Sequence, residues 1–72
     1  MIIRTQDELA IYDTDKAFSI FANEDGEVMA LGYTGELAYK LGEYKTEDRA
    51  REVVEEIYSF YDIQSRYDMP VV

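Results

Sequence analysis

Apolar positions follow two rhythms along this chain, and the switch between them comes at Tyr44. Up to about residue 42 the period is two. Residues 1–4 form a short β-branched run, a fair first strand. Thr5 to Glu8 are polar and read as a turn. Leu9 and Ile11 then alternate with Ala10 and Tyr12. Asp13 opens a second turn, because its carboxylate can bond the backbone two residues on. The clearest alternation is "AFSIFA", residues 17–22, with Phe18 and Ile20 on one side and Ser19 and Phe21 on the other. Asp25-Gly26 supplies the positive φ that a tight hairpin needs. Val28, Ala30 and Gly32 then share one face; Met29, Leu31 and Tyr33 share the other. Thr34-Gly35 is a further hairpin signal, after which Leu37, Tyr39 and Leu41 lie opposite Ala38 and Lys40. Turn signals recur about every 8–10 residues, the spacing of an antiparallel meander.

Beyond Tyr44 the period becomes three and four. Ala50, Val53, Val54, Ile57, Phe60 and Tyr61 recur as one helical stripe. Thr46 is suited to cap that helix, since its hydroxyl can accept from an unpaired first-turn amide. Glu47 and Asp48 stand at the positive helix end, and Glu47 and Arg51 are spaced for an ion pair. The pattern predicts a helix from 46 to about 65, then an exit tail over 66–72, with Pro70 ending any helix by Met69. Gly42 is expected to permit the departure from the last strand, with Leu41 and Tyr44 packed at the hinge. The predicted architecture is α+β: an antiparallel meander of four to five strands within 1–42, and one long C-terminal helix on one of its faces. A single domain over 1–72 is expected.

Composition narrows what such a domain can do. Cysteine and histidine are both absent from the 72 residues. That removes a disulfide framework, the commonest transition-metal ligand and the usual general base near neutral pH. Small scaffolds compensate for a limited core with disulfides, a metal or a partner subunit; the third is left here, so a homodimer is expected. The net charge is −9, from 16 acids against 7 bases. Binding to a phosphate backbone works against that field, whereas a basic protein partner is favoured by it. No apolar run approaches the roughly 20 residues of a membrane span. Residues 1–4 lack the charged region, long apolar run and small-residue cleavage site of a signal peptide, and a cytoplasmic protein is expected.

Candidate chemistry is sparse. Asp13, Asp15 and "NEDGE", residues 23–27, sit in turns without the ligand spacing of a calcium loop. Glu52, Glu55 and Glu56 fall on the outward side of the predicted helix and read as a solvated surface. Serines without a histidine base cannot form a Ser-His-Asp arrangement, and no phosphate or dinucleotide fingerprint occurs. No catalytic, cofactor-binding or metal residues are therefore assigned, and an enzyme is not expected. The seven tyrosines are more informative, because tyrosine suits interfaces. One helix covers one sheet face. Phe21, Met29, Leu31 and Tyr33 fall on the other, which makes them the candidate interaction face.

The stretches "MIIRTQD", "AFSIFANEDGEVMALG" and "LGEYKTEDRAREVVEEI" resemble a group of small hypothetical proteins of low-GC Gram-positive bacteria, their phages and mobile elements. That resemblance carries no catalytic residues over; it implies a bacterial or phage-infected cytoplasm. Several strands followed by one helix is also similar to the element order of the positive cofactor 4-like fold, whose members pair as dimers and bind single strands. This chain lacks their basic strands. The expected function is a non-enzymatic interaction or self-associating module. The alternatives are an acidic inhibitor of a nucleic-acid-binding defence protein, of DNA-mimic or anti-CRISPR type, and a single-strand binder.

Overall fold

The computed structural model describes residues 1–33 and 38–72, and the backbone alone of Phe18. The chain runs β1 (Ile2–Arg4), β2 (Ile11–Asp13), a 3-10 turn (Thr14–Lys16), β3 (Ala17–Ala22), β4 (Glu27–Gly32), β5 (Tyr39–Glu43), α1 (Glu47–Phe60) and β6 (Arg66–Asp68). The class is α+β with a single helix packed on antiparallel strands, as the pattern predicts. The strands, however, form two three-stranded sheets in place of one meander, in the orders β2-β1-β6 and β3-β4-β5. We call these sheet A and sheet B. The hairpin signal at Thr34-Gly35 and the position of Leu37 lie outside the described residues.

The split occurs at the 3-10 turn. The Asp13 carboxylate accepts from the Asp15 amide at 3.0 Å, the local bond its sequence position suggests. Buried Thr14 donates both its amide and its hydroxyl to the Met1 carbonyl, each at 3.0 Å. The turn carries the chain onward rather than back, so β3 does not pair with β2 and starts a second sheet.

Sheet B is built from local hairpins. Gly26 has φ +81°, and a Cβ there would lie 2.4 Å from the Tyr44 carbonyl oxygen, so only glycine fits this turn. Asn23 completes it, its side-chain oxygen accepting from the Asp25 and Glu27 amides at 3.0 Å. Bulges interrupt the register on each side of β4, one between Ala17 and Ser19 on β3 and one opposite Val28–Met29 on β5. The second leaves Leu41 as an extra residue that drops into the core, 1% exposed. Gly42 serves closeness: a Cβ there would come within 3.0 Å of the Tyr44 hydroxyl and 3.2 Å of Met69 Cε.

Thr46 caps α1, accepting from the Arg49 amide at 3.1 Å, and Glu47 lies 3.6 Å from Arg51. Ala50, Val53 and Ile57 are buried along one side, where α1 packs on β3 and β4. Val54 and Phe60 pack at the margin of this stripe, and Tyr61 stays exposed. The helix stops at Phe60, short of the predicted 65. Gln64 and Ile63 fold back to donate to the Phe60 carbonyl. The stop is tertiary in origin: the chain must turn there to bring Ser65 to β1, where its carbonyl accepts from the Ile2 amide at 2.8 Å.

Residues 66–72 are not a simple exit tail. Arg66–Asp68 forms β6, parallel to β1, and the Met69 amide extends the ladder to the Arg4 carbonyl at 3.1 Å. In register, Tyr12, Ile3 and Tyr67 form one row across sheet A. Ile3 is 0% exposed, and Tyr67 and Met69 join it in the same core cluster as Val28, Leu41, Val53 and Ile57. The two sheets and the helix therefore share one core.

Candidate functional site

Four surfaces could carry function, and each follows from which residues the strand pairing brings together. The first is the outer face of sheet B. Phe21 and Met29 are direct cross-strand partners, Leu31 lies opposite Ser19, and Tyr33 follows the end of β4. Phe21 is 37% exposed and Tyr33 71%, while Met29 and Leu31 are half-buried. Val28 and Ala30, one residue out of phase, are buried under α1. Lys40 stands opposite Met29. Its ammonium lies 2.9 Å from Glu43 and 3.6 Å from Glu27, and the bond to Glu43 raises its pKa. An apolar strip with one ion-pair border is thus what this face offers. The border is mutually neutralised in part, since one base faces two acids.

The second surface adjoins the first around an edge. Among the described residues β3 has one hydrogen-bonded neighbour, β4, and its other side is open. Beside that side runs a groove of about 340 Å³ between β3 and the second half of α1, lined by Thr14, Ile20, Val54, Ile57, Tyr58 and Tyr61 among others. Tyr58 is 79% exposed. The opposite edge of sheet B is closed. The Gln6 side chain accepts from the Glu43 amide at 2.7 Å and donates to the Glu43 carbonyl at 2.9 Å, while the Gln6 amide donates to the Leu41 carbonyl. A single glutamine thus covers what a further strand would cover, and sequence pattern gave no sign of it.

The third surface is the outer face of sheet A. Arg4, Ile11 and Asp68 form one row, and Ile2, Asp13 and Arg66 another. Arg4 pairs with Asp68 at 3.1 Å. Acids and bases balance in these rows, and a shallow depression of about 750 Å³ runs from Arg66 to Phe60. The fourth is the outward side of α1, where Glu52, Glu55 and Glu56 are exposed, as expected. Glu56 is not merely solvated: its carboxylate accepts from the Tyr67 hydroxyl at 2.7 Å.

Two tyrosines are held protonated inside this frame. Burial pushes the Tyr44 hydroxyl up to about 12, and it donates to the Pro70 carbonyl at 2.8 Å. Burial raises Tyr67 as well, with the Glu56 bond and charge adding to it. Both effects disfavour the phenolate. These groups are structural anchors for the last segment, with Arg49 stacked 5.7 Å from the Tyr44 ring centre. The turn acids act locally too. Asp7 accepts from the Thr5 hydroxyl at 2.6 Å and from the Leu9 amide, which lowers its pKa. Among the described residues no three acidic side chains gather as a metal site would require, and no helix is long and apolar enough to cross a membrane.

Set against known proteins, the chain matches no family model, no curated protein and no solved structure.

Proposed function

We propose that this chain is a small non-enzymatic interaction module that works by binding protein, in the first instance a second copy of itself. The observation that carries this reading is the asymmetry of sheet B. One face lies under Ala50, Val53 and Ile57 of α1, and the other leaves Phe21 with Tyr33 toward solvent beside Met29 and Leu31. An aromatic-rich apolar strip with a polar border is the composition of an interface. The limited core of a 72-residue chain supports the same reading, because small domains gain from association. Sedimentation or light scattering from micromolar to millimolar concentration tests it. A reversible dimer is expected, and a monomer throughout that range overturns the proposal.

A further inference from the structure

We propose that the second copy joins at the open edge of β3, antiparallel, about a two-fold axis through Phe21, so that two three-stranded sheets become one of six strands. This rests on the self-association reading above and names its geometry.

Three observations converge on that edge. The first is hydrogen bonding. The Asn23 amide donates to the Glu27 carbonyl at 3.0 Å, which makes that pair hydrogen-bonded. Bonded pairs alternate along an antiparallel ladder, so the next are Phe21–Met29 and Ser19–Leu31. The amides and carbonyls of Ile20 and Ala22 therefore point to the open side. A two-fold through Phe21 sets Ile20 of each copy against Ala22 of the other, which satisfies all four groups in each strand. It also sets the two Phe21 rings face to face on the outer surface, as a close non-bonded pair. The β3 bulge lies between Ala17 and Ser19, outside this stretch.

The second observation is charge. Among the six strands of the described residues, β3 alone has no ionisable side chain. In a chain of net charge −9, a like copy is repelled wherever acids are in excess, as along the outward side of α1 with Glu52, Glu55 and Glu56. A foreign basic partner would seek the acids, whereas a second copy needs a neutral seam. Along the strand itself charges appear only where β3 begins and ends, and Asp62 lines the groove beside it. Lys16 precedes it and Glu24 and Asp25 follow it, so antiparallel pairing brings each lysine to the acidic turn of the other copy. Natural edge strands are usually protected by lysine, proline or a covering element. The other edge of sheet B has Gln6; this one has none among the described residues.

The third observation is the flanking groove. A ladder of this length buries less than the roughly 800 Å² per partner of a stable interface. Two-fold pairing places both helices on the same side of the joined sheet. Tyr58 and Tyr61 of one copy then close over the groove of the other, supplying the missing apolar area.

The test combines association with amide exchange. Hydrogen exchange on the full chain, read at Ile20 and Ala22 below and above the dimer concentration, is expected to show protection that grows with concentration. The inward amides of Ser19 and Phe21 are expected to be protected at both. Tyr58→Glu is expected to weaken the dimer at least tenfold with the monomer's melting temperature unchanged. A dimer whose Ile20 and Ala22 amides exchange freely overturns the edge proposal and leaves self-association standing. So does a dimer weakened by Phe21→Ser but not by Tyr58→Glu, which assigns the contact to the sheet face. A chain that stays monomeric overturns both. Protection of Ile20 and Ala22 in the monomer on adding an alternating Lys-Val peptide, with no dimer formed, assigns the edge to a foreign strand and overturns the second-copy proposal.

Discussion

Sheets A and B hold three strands each, yet they are built on opposite plans. Sheet B pairs β3, β4 and β5 in chain order, each antiparallel to the next. Sheet A joins residues 2–4 and 11–13 to residues 66–68, and its β1–β6 pair is parallel. A hairpin closes a short loop, while the β1–β6 pair closes nearly the whole chain and costs more ordering entropy before it gains a contact. Sheet A offsets that cost with a fully buried central residue, Ile3, and with side-chain anchors from Tyr44, Tyr67 and Gln6. The difference teaches where this fold is vulnerable. Damage to sheet A strikes the closure of the fold, whereas damage to the outer face or edge of sheet B is expected to strike the proposed association and spare the fold.

Substitutions can sharpen that contrast, in descending order of effect. Ile3→Ala is expected to cost about 2–5 kcal/mol, because it empties a site with 0% exposure at the junction of both sheets. Urea denaturation measures this, and a loss below about 1 kcal/mol would show that sheet A is not the keystone. Gly26→Ala comes next, at about 2 kcal/mol or more. The left-handed backbone alone disfavours a side chain by about 1–2 kcal/mol, and the added carbon meets the Tyr44 carbonyl. Its thermal midpoint should fall with it. Gln6→Ala removes bonds to Glu43 and to the Val71 carbonyl and is expected to cost about 1–2 kcal/mol. It also uncovers the second edge of sheet B, so amide exchange at Glu43 should quicken first. Phe21→Ser is the counterpart on sheet B: with Phe21 at 37% exposure, melting should shift little while the dimer weakens.

The smallest effect is a pH dependence. Tyr44 and Tyr67 have folded pKa values raised above the ordinary phenol value near 10. Their contribution is fully present below that value. It is lost as pH rises from about 10 through the folded value, about 12 for Tyr44. Denaturation midpoints should therefore fall above pH 10. At pH 11 the native chain should show fewer phenolates by ultraviolet absorbance than the denatured chain. Tyr67→Phe should reduce that deficit and cost about 1 kcal/mol at neutral pH through the lost bond to Glu56. A midpoint that stays flat to pH 12 would contradict the burial of both hydroxyls.

Sequence pattern alone determined the β3–β4 hairpin and the start and buried stripe of the helix. The alternation of residues 17–32, the Asp25-Gly26 turn, the Thr46 cap and the Val53–Ile57 stripe all encode contacts between near neighbours, and local chemistry decides such contacts. Even β6 left a trace, since Tyr67 and Met69 are both buried in alternation with Arg66 and Asp68. Two charges in three residues hid it. Only the tertiary structure decided that the first and last segments pair in parallel, that the strands divide into two sheets at Thr14, and that Gln6 closes one edge while β3 stays open. Those choices join residues up to 65 positions apart, where no periodicity links the partners. They are fixed by the need to bury Ile3, Tyr67 and Met69 in the core that α1 and sheet B had left incomplete.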